Sequence, residues 1–352
     1  MSPEREVILN FLGSARRFAD PNAAKPARLM AAAGGLPLPP PQIVSVLFAL
    51  TFDEDPEVSE RARGSLDTLP DRVLEPALEA EIPAELLAFL AEKFRGDERV
   101  LEKIALNPAT SDETYCFLAS LPFAKILDIT SRNQMRLMRC PALFETLGEN
   151  PATSQATIDR ILEFLGLMQD KPEEETVGPD EGAEVEMETP DLGELPPELV
   201  EEEPEAAQEA AEAVDEKNLF RLVQSLSVIE KVRLARFGNK EARSLLLRDR
   251  NRLVATAAIR SPKVTDGEVI AVAQSRNVAD DVLRIVANTR EWTKNYPVKL
   301  ALATNPKAPL PAAIKFLNYL TDRDLKAIMR SREVPSPVAQ QARRILARKG
   351  KS

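Results

Sequence analysis

Few of the chain's side chains are equipped for covalent chemistry. Histidine is absent from all 352 residues. That excludes Ser-His-Asp and Cys-His triads, a histidine general base and every zinc site that needs an imidazole. Two cysteines, Cys116 and Cys140, are too few for a four-thiolate metal centre or a disulfide framework. Cys116 lies in apolar helical surroundings, where a structural thiol is the default. Cys140 follows Arg136 and Arg139, cations of the kind that favour a reactive thiolate, but has no histidine base. The paired carboxylates Asp280-Asp281 and Asp322/Asp324 fall where helices should begin, so they read as partners of the helix dipole. No glycine loop could cradle a phosphate, since Phe237-Gly238-Asn239-Lys240 has no partner glycines. The expectation is a non-enzyme that needs no cofactor or metal.

Binding chemistry is better represented, and it gathers late in the chain. Residues 290–299 interleave the only tryptophan with cations: Arg290, Trp292, Lys294, Tyr296 and Lys299. Such a segment could anchor a partner protein through an aromatic ringed by Arg and Lys. It could also stack a base while the cations hold phosphates. A purely structural alternative has Trp292 filling a gap between helices and Tyr296-Pro297 shaping a helix start. A second basic group, Arg243, Arg248, Arg250 and Arg252, surrounds the turn before a helix predicted over 253–260. A third, Arg343, Arg344, Arg348, Lys349 and Lys351, makes a basic C-terminal tail.

The elements that position these groups follow from charge and periodicity. Residues 1–165 carry a net charge of −8, residues 166–216 carry −19 and residues 217–352 carry +17. The middle segment holds six prolines between Pro172 and Pro204 and one basic residue, Lys171. Its low hydrophobicity and high charge predict a disordered acidic linker, with a helix-prone end over 205–213. It should sit across the basic domain at high effective concentration and screen it against non-specific nucleic acid. Residues 29–52 carry no charge, but Pro37, Pro39, Pro40 and Pro41 interrupt them. They predict two short helices, 26–33 and 42–51, rather than a membrane span. The N-terminus lacks the apolar run of a signal peptide, and with so few cysteines the expected compartment is the cytoplasm.

Both flanks repeat one phrase: Asn107-Pro108-Ala109-Thr110-Ser111, Asn150-Pro151-Ala152-Thr153-Ser154, Ser261-Pro262-Lys263-Val264-Thr265 and Asn305-Pro306-Lys307-Ala308-Pro309. Proline expels the preceding residue from the α region and so ends a helix. Ser111, Ser154 and Thr265 then suit the next N-cap, with capping boxes predicted for Thr265/Glu268 and Thr110/Glu113. Leu118, Ile161, Val272 and Phe316 should face a core. Pro108 to Pro151 spans 43 residues and Pro262 to Pro306 spans 44, within the range of stacked helical repeats.

The phrase, as in residues 105–110 followed by Phe117-Leu118, resembles the leucine-rich-repeat variant. Residues 49–58, Ala-Leu-Thr-Phe-Asp-Glu-Asp-Pro-Glu-Val, look like the inter-helix turn of a HEAT repeat. These resemblances imply an all-α protein of two α-solenoid modules, 1–165 and 217–352, joined by the linker 166–216. The usual work of such modules is to bind partners. The expected function is a scaffold for a protein partner, with nucleic acid on residues 217–352 as the alternative. DNA glycosylases share HEAT-like folds, which places a repair enzyme a distant third. Peripheral attachment to anionic lipid lacks the amphipathic helix it would need.

Overall fold

A computed structural model describes residues 3–166 and 212–349. The acidic linker lies almost wholly outside the described residues, as do Lys351 and most of 205–213. Among the described residues every regular element is a helix and none is a strand. None is long and apolar enough to cross a membrane. Contacts divide the chain into two compact units, Met1–Thr153 and Ser154–Ser352.

The first unit runs through α1 (Pro3–Phe11), α2 (Lys25–Ala32), α3 (Pro40–Leu50), α4 (Pro56–Asp67), α5 (Asp71–Glu79), α6 (Ala84–Lys93), α7 (Glu98–Leu106), α8 (Asp112–Ser120), α9 (Ala124–Arg132), α10 (Gln134–Arg139) and α11 (Ala142–Glu149). Helices pack on the next but one, α3 on α5, α5 on α7, α7 on α9 and α6 on α8, and after the short α10 the step lengthens to α8 on α11. The uncharged stretch is explained by α3, which packs against α1, α2, α4 and α5 and buries every residue from Val44 to Leu50. A helix covered all round needs no polar face. The proline-rich corner before it begins with Gly34 at φ +73°, a left-handed conformation that a Cβ would strain.

The Asn-Pro phrase does more than end helices. Asn107 Nδ2 donates to the carbonyls of Leu78 (2.7 Å) and Ala80 (2.8 Å) at the end of α5, while its Oδ1 accepts from Ala109 N at 3.0 Å. Asn150 repeats this on Ala119 (2.8 Å) and Leu121 (2.9 Å), with Ala152 N donating back at 2.9 Å. Each asparagine thus satisfies carbonyls left open at an earlier helix end. Ser111 caps α8 and Ser154 caps the helix Gln155–Phe164 as predicted, accepting from Thr114 N and Thr157 N respectively. The capping box predicted for Thr110 does not form. Its hydroxyl turns back to the Ile104 carbonyl at 2.6 Å, because Ser111 already occupies the N-cap position.

The second unit contains α12 (Gln155–Phe164), α13 (Glu212–Ser225), α14 (Val228–Phe237), α15 (Lys240–Leu246), α16 (Arg252–Ile259), α17 (Asp266–Gln274), α18 (Asp280–Asn288), α19 (Tyr296–Thr304), α20 (Leu310–Leu317), α21 (Asp322–Arg330) and α22 (Ser336–Lys349). The same alternation recurs, with α14 on α16, α16 on α18, α17 on α19 and α20 on α22. Asn305 makes the same latch, to Ala273 at 2.8 Å and Ser275 at 2.9 Å. Where serine replaces asparagine the latch shrinks to two bonds, Ser261 Oγ donating to the Arg236 carbonyl at 3.3 Å and accepting from Lys263 N at 3.4 Å. Leu118, Ile161, Val272 and Phe316 are all buried, as the spacing predicts. The expected basic tail is helical: Arg343, Arg344, Arg348 and Lys349 are exposed on α22.

Candidate functional site

Within the second unit, α12, the C-terminal end of α16 and α18 enclose an open cleft of about 530 Å³. Trp292 forms part of its wall, on a single turn of 3-10 helix, Trp292–Lys294, between α18 and α19. That turn exists because Thr289 stops α18 in an extended conformation and Asn295 with Pro297 starts α19. Thr293 N donates to the Thr289 carbonyl and Asn295 N to the Trp292 carbonyl, both at 3.1 Å. The indole is half-buried. A Trp held on a rigid turn, half in water, is an apolar wall with a polar handle.

The cleft's charges are largely spent on one another. Asp159 of α12 pairs with Arg260 at 3.0 Å. Asp281, with its side chain 9% exposed, accepts from Arg252 at 2.5 Å and from Arg284 at 3.3 Å. A polyanion entering here would have to displace these carboxylates. Ile259 and Ile285 add apolar surface beside Trp292. The lining therefore mixes aromatic, aliphatic and neutralised charged groups at a volume typical of ligand clefts.

The structure separates the sequence-predicted residues into three groups. Trp292 and Arg252 belong to the cleft, the second through its ion pair with Asp281. Tyr296 and Lys299 are engaged locally. The Tyr296 hydroxyl donates to Asp324 and accepts from Thr321 N at 3.1 Å. With Thr321 Oγ1 also donating, that hydroxyl holds the Asp324 carboxyl below the usual carboxylate range. Lys299 Nζ donates to the Lys294 carbonyl at 3.2 Å and lies 5.2 Å from the centre of the Tyr319 ring. Arg248, Arg250, Arg290 and Lys294 are exposed, with no counter-ion among the described residues.

The first two of these flank an inward-facing pair. Asp249 Oδ1 accepts from Asn251 N (2.8 Å) and Asn251 Oδ1 from Leu253 N (2.9 Å). The same two-step turn appears at Asp53 and Asp55, whose carboxylates accept from Asp55 N and Glu57 N at 3.0 Å.

Arg243 does not belong to the exposed basic cluster. It is 2% exposed and pairs with Glu268, Nε to Oε1 at 3.2 Å, while Nη1 donates to the Gly238 carbonyl at 2.8 Å. Glu268 also accepts from Thr265 N and Oγ1, both at 2.8 Å, completing the predicted capping box. Buried cations need such partners. Sequence reasoning missed this pair, and it missed Gln155 and Asp159 as part of the cleft. A capping glutamate 25 residues from an arginine carries no local signal, and α12 precedes the acidic segment that appeared to separate the modules.

Among the described residues no cluster of His, Cys, Asp or Glu could hold a metal ion. Comparison with protein-family models, curated proteins and solved structures found no match to this chain.

Proposed function

We propose that the protein is a non-enzymatic scaffold that binds a segment of a partner protein at the Trp292 cleft of its second unit. The observation that carries this reading is the combination of a half-exposed tryptophan on a fixed turn with cleft charges already neutralised by Asp159 and Asp281. An aromatic anchor beside satisfied polar groups suits a peptide, which brings apolar side chains and its own hydrogen bonds. On this reading the alternating contacts of both units belong to α-solenoids resembling HEAT repeats, built on the asparagine latches. The acidic segment 166–216 screens the exposed cations of the basic module, and the protein works in the cytoplasm.

Nucleic-acid binding is the second reading. What favours it is the set Arg248, Arg250, Arg290 and Lys294, exposed without counter-ions among the described residues. The sole tryptophan separates the two readings. Mixed-sequence single- and double-stranded DNA and RNA are titrated into the full chain while Trp292 emission is followed across a salt series. The scaffold reading expects any binding to vanish near 0.15 M ionic strength without altering Trp292 emission. Roughly micromolar binding that survives there and quenches Trp292 by stacking would overturn it.

A further inference from the structure

The chain's only two cysteines come from positions 24 apart, yet their Sγ atoms stand 3.5 Å from each other. Cys116 lies on α8 and Cys140 ends α10, its N–H donating to the Arg136 carbonyl at 2.8 Å. Both are half-buried. The two helices are pinned together around the sulfurs. Asp112 of α8 accepts from Arg136 at 2.9 Å and from Arg139 at 2.6 Å, and the Arg136 guanidinium stacks 4.0 Å over the Tyr115 ring. Nothing in the proposed binding role uses either thiol.

We infer that Cys116 and Cys140 form a dithiol that a hydroperoxide oxidises to an intramolecular disulfide, clamping α8 to the end of α10. Burial and the adjacent Cys140 sulfur push the Cys116 thiol up to about 12, so Cys116 keeps its proton and Cys140 makes the first attack. In that step the Cys140 thiolate attacks one peroxide oxygen. The S–O bond forms, the O–O bond breaks and the departing hydroxide or alkoxide takes up a proton to leave as water or alcohol. The Cys116 sulfur then attacks the sulfenic sulfur. The S–S bond forms, the S–O bond breaks, and the thiol proton joins the leaving hydroxide as water. The peroxide is reduced by two electrons and the dithiol is oxidised by two. For the bond to form, the sulfurs must close from 3.5 Å to bonding distance.

Two exposed methionines on α10, Met135 at 80% and Met138 at 42% exposure, serve as internal gauges of oxidation. The full reduced chain is treated with hydrogen peroxide, its free thiols are titrated, and non-reducing peptide maps are compared. The expected result is a fall from two titratable thiols to none per chain. One linked peptide pair joins Cys116 to Cys140, and no disulfide joins one chain to another. Cys116→Ser should stop at a sulfenic acid on Cys140 that a cyclic dione traps. The inference is overturned if both thiols still titrate once Met135 has gained oxygen. It is equally overturned if the cross-links run between chains, or if Cys140 collects oxygen without closing on Cys116. The wild-type map decides by itself should the variant not fold.

Discussion

Asn107→Ala tests whether the asparagine latch holds successive helices together. Asn107 is 4% exposed and makes three hydrogen bonds, two donated to Leu78 and Ala80 and one accepted from Ala109. Alanine leaves two carbonyls and one N–H without a partner in a place water barely reaches. At about 1 kcal/mol net for each bond the loss is about 3 kcal/mol, and more if the carbonyls stay dry. Urea unfolding of the full chain, followed by helical circular dichroism, should show the transition of the first unit move down by about 1.5 M for an m-value near 2 kcal/mol/M. Asn107→Asp should cost more than alanine, because a carboxylate cannot donate and sets a negative charge against two carbonyls. Asn318→Ala is the control: exposed, with one bond of 3.4 Å to Lys315, it should cost less than about 0.5 kcal/mol. The latch argument fails if Asn107→Ala behaves like the control, or if aspartate is tolerated better than alanine.

Arg243→Met should destabilise the second unit by about 3–5 kcal/mol by stranding the Glu268 carboxylate, and adding Glu268→Gln should recover most of that in the same urea assay. If the double variant is no more stable than the single one, the ion pair is not the cause. Tyr296→Phe removes the main influence holding the Asp324 carboxyl low, so carboxyl NMR should show Asp324 titrating closer to its ordinary value of about 3.9. A depressed native pKa stabilises the fold above that ordinary value and loses its effect as pH falls through the lower one. Acid sensitivity in that window should therefore weaken in the variant, and an unchanged titration would remove Tyr296 as the cause. Deleting 167–211 should tighten DNA binding and steepen its salt dependence. Unchanged affinity would end the screening idea.

Local grammar was legible in the sequence, and long-range pairing was not. Ser111, Ser154 and Thr265 announced their N-caps because capping is decided within four residues. The proline-rich corner separated α2 from α3, and the burial of Leu118 and Phe316 followed from helical spacing. The same phrase hid its main task. Proline explained why each helix stops, which masked the reason for the asparagine before it: two carbonyls about thirty residues upstream. Arg243 read as a surface cation because its partner lies on another helix, and Asp159 read as part of the first module because acidic composition drew the boundary. Cys116 and Cys140 each looked structural alone, and only the packing of α8 against the end of α10 brings their sulfurs together.

The central claim is that the Trp292 cleft takes a protein segment. Its most direct test places a photo-crosslinking amino acid at Arg290, exposed two residues from Trp292, and another at Lys326, exposed on α21. Irradiation in cells followed by mass spectrometry should yield one polypeptide joined from position 290 and absent from position 326. That adduct should disappear in Trp292→Ala, while the melting temperature stays within a few degrees of wild type. Adducts to nucleic acid alone, or a protein adduct indifferent to Trp292→Ala, would contradict the account.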